Sequence, residues 1–314
     1  MNIGVDMMGG DFASLEAVKS LVLYLENSAG PADIFCIGDE AVVKPLLAEQ
    51  GLTAPNIVTI HASQVIGMHE HPTKALKEKK HSSIAVGFHL LGAGKIDAFI
   101  SAGNTGAMLV GSVYTIKPIP GVLRPTISTV IPKVSGGTGL LLDVGLNADC
   151  KPENLNQFAV LGSVYAENIL GISNPAVGLL NVGEEEGKGN ILAQATYPLL
   201  KENHRINFVG NIEGRDILFD KADVIVCEGY TGNIILKLAE SMYDIAIARN
   251  MRDEAYYKRF NYEAVGGTPV LGISKPVIIG HGISNAEAFC NMILLAEKMI
   301  SSQICDKIAA HFKN

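Results

Sequence analysis

Short apolar runs alternate with longer amphipathic stretches over most of this chain. Asn2–Asp6, Asp33–Gly38 and Asn56–Ala62 read as strands, the last rich in β-branched residues. Between them, Ser14–Glu26 and Glu40–Glu49 carry apolar residues at helical spacing. The pattern continues with a charged stretch, Pro72–His81, and a helix over Ser82–Gly92. Arg124–Pro132 and Gly139–Val144 predict two strands around a Val134–Gly137 hairpin turn. A helix over Glu153–Ile169, a strand at Ala176–Val182, a helix over Ile191–Lys201 and a strand at Ile206–Gly210 follow. Ile234, Ile235, Leu238, Met242 and Ile245 share one face of a further helix. Gly266-Gly267-Thr268-Pro269 reads as a break and Pro276–His281 as the last strand. One terminal helix follows, with apolar positions Phe289, Ile293, Ala296, Ile300 and Ile304, opened by a Ser284/Glu287 capping box. Strands alternating with helices predict an α/β fold with a largely parallel sheet and right-handed crossovers. With no linker in sight, residues 1–314 read as one domain, with two lobes around a central cleft as its natural subdivision.

The chain states one pattern twice. Lys95-Ile-Asp97-Ala-Phe-Ile-Ser101-Ala-Gly103-Asn104-Thr105-Gly106 recurs as Lys221-Ala-Asp223-Val-Ile-Val-Cys227-Glu-Gly229-Tyr-Thr231-Gly232. Each copy runs an apolar strand into a glycine turn that opens a helix. That geometry points free backbone N–H groups, and the positive end of the helix dipole, at an anion. Ordinary tight turns would look the same one at a time. The doubling, with Asn and Thr beside the glycines, favours a site built from two turns facing one cleft.

Composition narrows the classes. A net charge of -7 argues against a general nucleic-acid binder. The 33 glycines exceed the roughly 7% average and suit many tight βα turns. No apolar run is long enough for a membrane-spanning helix, and the N-terminus reads as a buried strand rather than a signal peptide. Five cysteines without a C-x-x-C, mostly in apolar runs, read as reduced thiols of a cytoplasmic protein. His69-Glu70-His71 reads as a solvated loop rather than a metal site.

The candidate chemistry lies at strand ends. Gly183-Glu-Glu-Glu-Gly187-Lys188-Gly189 is not a Walker loop: the glycine spacing is wrong, and no Ser or Thr follows Lys188. It leaves one lysine on a loop where open α/β sheets place ligands, with a solvated acidic loop as the equal alternative. No G-x-G-x-x-G occurs, which weakens a dinucleotide reading. Asp6, Asp11, Asp143 and Asp149 follow strands; such carboxylates orient donors, bind Mg²⁺ or cap helices. Cys150 precedes a helix whose dipole lowers a thiol pKa, although a structural thiol is the simpler reading. His281 ends the last strand, as a general acid or a satisfied core histidine. Lys74, Lys77, Lys79 and Lys80 form a solvated face or a docking patch for an acidic partner. These residues point to an anion-binding α/β enzyme with a lysine near the anion, and do not choose the reaction.

Longer stretches carry a resemblance over the whole chain. SAGNTGA (Ser101–Ala107), DCKPE (Asp149–Glu153), GSVYAE (Gly162–Glu167), NVGEEEGKGN (Asn181–Asn190), GNIEGRDI (Gly210–Ile217), GYTGNI (Gly229–Ile234), GGTPVLG (Gly266–Gly272) and HGISNA (His281–Ala286) resemble the phosphate acyltransferase family of bacterial phospholipid synthesis. The resemblance implies a three-layer α/β/α sandwich, Rossmann-like, similar to the phosphotransacetylases and to the isocitrate and isopropylmalate dehydrogenases. It implies reversible transfer of a long-chain acyl group from acyl carrier protein to inorganic phosphate, in a homodimer, with no metal or organic cofactor. The acyl phosphate would feed a membrane glycerol-3-phosphate acyltransferase, which places the protein in the cytoplasm, peripherally at the inner face of the plasma membrane.

On that reading Lys188 neutralises phosphate or the leaving thiolate, and Asn233 with Thr231 donates to the thioester oxyanion. Gly103, Asn104, Thr105 and Gly106 hold phosphate, and Asp6, Gly10, Asp11, Asp143, Asn147, Gly232 and His281 complete the substrate site. Met7, Leu146, Gly280 and Ile283 depart from the usual family residues. Between Tyr243 and Phe260 many relatives carry a longer, more apolar helix pair tied to membrane contact; here the segment is short and polar. Weak contact with anionic lipid would fall to Tyr256, Tyr257, Lys258, Arg259 and Phe260. The rival readings are a phosphotransacetylase-like enzyme using acyl-CoA, a dehydrogenase of the related fold, and a non-catalytic scaffold that binds the acyl carrier or lipid.

Overall fold

The computed structural model describes residues 1–28, 30–251 and 255–313. The chain divides into two compact units, Met1–Pro118 with Tyr262–Cys305, and Ile119–Asn261 with Asp306–Asn314. The first unit begins with β1 (Asn2–Asp6), α1 (Leu15–Asn27), β2 (Asp33–Gly38), α2 (Glu40–Glu49) and β3 (Ile57–His61). It continues with α3 (Pro72–Glu78), α4 (Ser83–Gly92), β4 (Ala98–Ser101) and α5 (Thr105–Gly111), which runs into a π-helical turn, Ser112–Ile116. The second unit holds β5 (Thr126–Pro132), β6 (Thr138–Leu142), α6 (Pro152–Tyr165), β7 (Ala176–Asn181), α7 (Ile191–Lys201) and β8 (Asn207–Glu213). Then come β9 (Val224–Val226), α8 (Gly229–Ala248) and α9 (Ala255–Lys258). The chain returns to the first unit for α10 (Tyr262–Val265), β10 (Gly267–Leu271), β11 (Val277–Gly280) and α11 (Ala286–Ser301). The last helix, α12 (Ile304–Phe312), carries the chain back into the second unit.

In the first unit the strands run β3-β2-β1-β4-β11-β10. All neighbours are parallel except β10, which is antiparallel to β11. Ile3, Val5, Ile34, Ile100 and Ile278 are buried along the sheet, and Phe88 of α4 meets Phe99 edge-on at 5.2 Å. Burial of such side chains stabilises by roughly 1.5–3 kcal/mol each. In the second unit the order is β5-β6-β9-β7-β8. Only the β5–β6 hairpin is antiparallel. Leu140, Leu141, Leu142, Val224 and Val226 form its buried floor, and Phe158 and Tyr165 of α6 are buried as well. The alternation of strand and helix therefore gives the largely parallel α/β architecture that the sequence pattern implies.

Three expectations need correction. Gly266–Pro269 does not break the chain: Gly267–Leu271 is β10, because its apolar half, Val270 and Leu271, is buried in the sheet. The terminal helix is capped one residue later than the Ser284/Glu287 box. Asn285 accepts the Ala288 amide at 3.0 Å, and Ser284 bonds back to the His281 carbonyl at 2.6 Å to close the preceding turn. That helix also divides, since Gln303 takes a left-handed φ of 53°; Ile304 and Ile308 still bury their side chains beyond the break.

In the stretch assigned to lipid contact, of which 252–254 lie outside the described residues, two of the five named side chains are engaged within the protein. Phe260 is buried and stacks edge-on with Tyr256 at 5.3 Å. Arg259 donates to the carbonyls of Gly136 and Gly137 and to the Thr138 hydroxyl. Arg259 is thus engaged by the β5–β6 hairpin, and Phe260 is packed inside the protein. Among the described residues no helix is long and apolar enough to cross a membrane.

Candidate active site

Both copies of the repeated pattern do the same structural work at their aspartates. Asp97 accepts the Asn2 amide at 2.8 Å and returns its own amide to the Asn2 carbonyl, which sets β4 against β1. Asp223 accepts the Ala176 amide at 2.9 Å and returns its amide to the Ala176 carbonyl, which sets β9 against β7. Each aspartate therefore fixes register, so that each glycine turn emerges at the C-terminal edge of its own sheet, where parallel α/β sheets bind ligands.

The turns themselves differ. In the first, Asn104 is the N-cap of α5 and accepts the Ala107 amide at 2.9 Å. Its amide nitrogen is aimed at the carbonyls of Gly67, Met68 and Glu70. The His69–His71 loop is thereby a strut under the turn rather than a free loop. Glu70, in turn, accepts from the Gly67 amide and from Lys79. The Gly103 amide is taken by the Ser101 hydroxyl, which donates at 2.6 Å to buried Asp6. The first-turn amides of Thr105 and Gly106 have no partner within the helix, as the geometry of a helix start requires.

Around this turn the first unit gathers Asp6, Gly10, Asp11 and His281. A Cβ on Gly9 would stand 2.6 Å from the Gly103 nitrogen, so only glycine lets the two loops touch. The Asp11 amide donates to the Gly282 carbonyl at 2.7 Å, which joins the β1 loop to the β11 loop beside exposed His281. Asp6 is fully buried, and desolvation pushes its carboxyl above the usual range against the pull of Ser101, Ser83 and two backbone amides.

In the second turn the cap moves back to Glu228, which accepts the Thr231 amide at 3.0 Å and its hydroxyl. A carboxylate thus occupies the helix start that the repeat led us to expect open to an anion. Asp143 builds the facing loop. It accepts the amides of Gly145, Leu146 and Asn147 at 3.0, 3.0 and 2.8 Å and the Asn147 side chain at 2.6 Å. Desolvation raises the pKa of this buried carboxyl as well. Asn147 spans on to the Pro125 carbonyl, and its own carbonyl accepts the Gly229 amide. Asn233 donates to the Val144 carbonyl at 3.2 Å. A Cβ on Gly232 would come within 1.8 Å of the Asp143 carbonyl, so α8 starts tight against this loop.

The three glutamates of the Gly183–Gly189 loop divide. Glu184 pairs with Lys221, Glu186 pairs with Lys201 at 3.0 Å, and Glu185 stands 4.0 Å from Lys188. Asn211 and Asn181 fasten the loop through the carbonyls of Glu185 and Lys188. Lys188 therefore projects from a braced turn with one loose counter-charge, half exposed. Gly189 beside it lines a cavity of about 440 Å³ together with Asn190, Glu228 and Thr231. A second opening of about 520 Å³ shares Asn190, Leu192 and Glu228 and reaches Asp149 and Cys150. The lysine loop and the second turn, far apart in sequence, thus meet at one cavity.

Glu228 and Asn190 escaped the sequence reading. Each is a helix cap, and the signal lay in a polar acceptor three residues before Thr231 and Ala193 respectively. The thiol of Cys150 does not follow the helix-dipole expectation: burial, then the charge of Asp143, push it up to about 12. Among the described residues, Glu184, Glu213 and Asp216 lie close enough to share a cation, but Lys221 and Arg215 already pair with them.

Residues 1–307 match the model of a family described as "Fatty acid synthesis protein". The chain is 40% identical to a phosphate acyltransferase of Dictyoglomus turgidum, over 98% of this chain and 96% of the relative. It is 42% identical to one of Chlorobaculum parvum, over 99% and 98%. Among solved structures it is similar to a phosphotransacetylase from Streptococcus pyogenes, at a TM-score of 0.65, 18% identity and coverage of 98% of this chain and 94% of that one. The EutD phosphotransacetylase from Staphylococcus aureus gives 0.64 and 18%, over 95% and 94%. At such identity the structural likeness speaks for the fold. With a match of this length to the family model and to its relatives, the chain belongs to the phosphate acyltransferase family.

Proposed function

We propose that this chain transfers a long-chain fatty acyl group, reversibly, from the thioester of acyl carrier protein to inorganic phosphate. The observation that carries the reading is Lys188, on a loop in which Glu184 and Glu186 are paired off and whose last glycine, Gly189, lines the cavity at the start of α8. The relatives' identity as phosphate acyltransferases supports the acceptor and the acyl group.

A phosphate oxygen attacks the thioester carbonyl carbon, forming a C–O bond and moving charge to the carbonyl oxygen. As that charge returns, the C–S bond breaks and the thiolate leaves, to be protonated from solvent. The phosphate dianion is already nucleophilic near neutral pH, so no strong general base is required. The site must instead stabilise charge. Lys188 neutralises phosphate or the leaving thiolate. Asn233 and Thr231 serve the oxyanion, with Thr231 released from Glu228 when substrate arrives. Within the first unit taken by itself, the amides of Thr105 and Gly106, between Gly103 and the body of α5, are the candidate phosphate donors. Asp6 and Asp143 act as positioning residues, because their oxygens already hold the loops. Gly10, Asp11, Asn147, Gly232 and His281 shape the same loops.

The chain works as a homodimer, a reading supported by Ile234, Leu238 and Ile245, which α8 leaves 52%, 58% and 53% exposed. Lys74, Lys77 and Lys80 are exposed and carry no ion pair among the described residues, which supports docking of an acidic carrier. The reaction belongs in the cytoplasm, near the membrane acyltransferase that consumes acyl phosphate. The test compares carrier-borne and CoA-borne thioesters of one acyl group across a salt series. Preference for the carrier, weakening as salt screens the lysines, is expected. Turnover of acyl-CoA alone would favour a phosphotransacetylase-like enzyme, and carrier binding without turnover a scaffold.

A further inference from the structure

We infer that the apolar half of the 440 Å³ cavity is the seat of the donor's alkyl chain, and that Ala193 and Leu180 set the length it accepts. The inference rests on the acyl transfer proposed above. The cavity is two-faced. Glu228, Thr231 and Asn190 line it where α8 and α7 begin, and Leu155, Leu179, Leu180, Leu192, Ala193 and Ile235 supply most of its apolar lining. Leu155, Leu179 and Ala193 are buried in the protein wall, whereas Val182 is 80% exposed beside them. An apolar recess open to solvent gains free energy when an apolar group fills it and excludes water. An acyl group has the matching two-ended chemistry, with a carbonyl that seeks donors and a chain that seeks hydrocarbon.

Two small residues keep the recess open. A Cβ on Gly189 would stand 2.9 Å from that of Ala193, so the lysine loop and α7 meet there at their thinnest. A larger side chain at 193 would fill the recess from α7. Leu180, at the end of β7, is half-buried, and its removal would deepen the recess without opening the sheet's buried floor. Neither residue contributes a polar group, so neither bears on charge stabilisation.

Two readouts test this with the full-length protein. The first is kcat/KM along a series of thioesters of increasing chain length. The second is binding of unreactive S-alkyl thioethers of pantetheine over the same lengths. In the wild type each added methylene should strengthen binding about fourfold until the recess is full, which corresponds to ~0.8 kcal/mol per buried methylene. Ala193→Phe should end that rise at a shorter chain and lower the long-to-short ratio by at least about tenfold. Leu180→Ala should move the end of the rise to a longer chain. An unchanged length profile in both variants overturns the inference. So does an equal loss at every length, which would assign the recess to the pantetheine arm. If Ala193→Phe fails to fold, the direction of the Leu180→Ala shift decides. A wild type that binds thioethers in a length-dependent way but turns over no thioester supports the recess and sinks the reaction.

Discussion

The carboxylate of Asp143 holds Asn147 twice, by its backbone amide at 2.8 Å and by its side-chain amide at 2.6 Å. With the amides of Gly145 and Leu146 it anchors the loop to which Asn233 donates through Val144. Asp143→Ala leaves several donors without their acceptor, some of which water reaches. A loss of about 2–4 kcal/mol is expected, read as a lower denaturant midpoint. Activity should fall further than stability accounts for, because Asn233 loses its support.

The division of the glutamates makes a second contrast. Lys188→Ala should lower kcat by roughly 10²–10³, the usual effect of removing one charge-stabilising donor. Glu186→Gln breaks only the exposed pair with Lys201, worth about 0–1 kcal/mol, and should leave kcat within about threefold of wild type. Steady-state kinetics on both folded variants checks the pair; equal losses would contradict the separation of roles.

Gly232 and Gly187 test the packing of the turns. A methyl group at 232 meets the Asp143 carbonyl at 1.8 Å, whereas one at 187 meets nothing within 4 Å. Gly232→Ala should destabilise by about 1–3 kcal/mol or more and displace the start of α8. Gly187→Ala should change stability by no more than about 0.5 kcal/mol. Thermal unfolding of the two proteins side by side checks this.

Cys150 supplies a pH dependence. Burial and the Asp143 charge raise its pKa to about 12, so the reactive thiolate is scarce at neutral pH. Raising the pH increases the thiolate fraction about tenfold per unit until the pKa is reached. Alkylation followed by mass spectrometry should therefore be slow at pH 7 and accelerate in proportion toward pH 10. A rate already at its plateau at pH 7 would indicate a lowered pKa and revive a nucleophilic role.

Much of this fold was legible because its signals are local. Apolar runs bounded by turns marked β2, β3 and β7, and helical spacing marked α2 and α7, since period and punctuation both act over a few residues. What escaped depends on partners remote in sequence. The Gly-Gly-Thr-Pro stretch looks like a break until β11 is placed beside β10. The apparent symmetry of the two turns hides a shift of cap from Asn104 to Glu228, which only the loops packed against them decide. Tyr256, Arg259 and Phe260 read as a lipid-facing cluster because pattern alone cannot say that a hairpin offers carbonyls to that arginine. Whole-chain motifs carried the family; the geometry around Lys188 came from the structure.

The most direct measurement of the central claim is phosphorus NMR of the enzyme with a long-chain acyl carrier thioester and inorganic phosphate. Growth of an acyl phosphate signal, matched mole for mole by free thiol and abolished when phosphate is omitted, is the expected result. Thiol release that proceeds equally without phosphate, with no acyl phosphate formed, would contradict it.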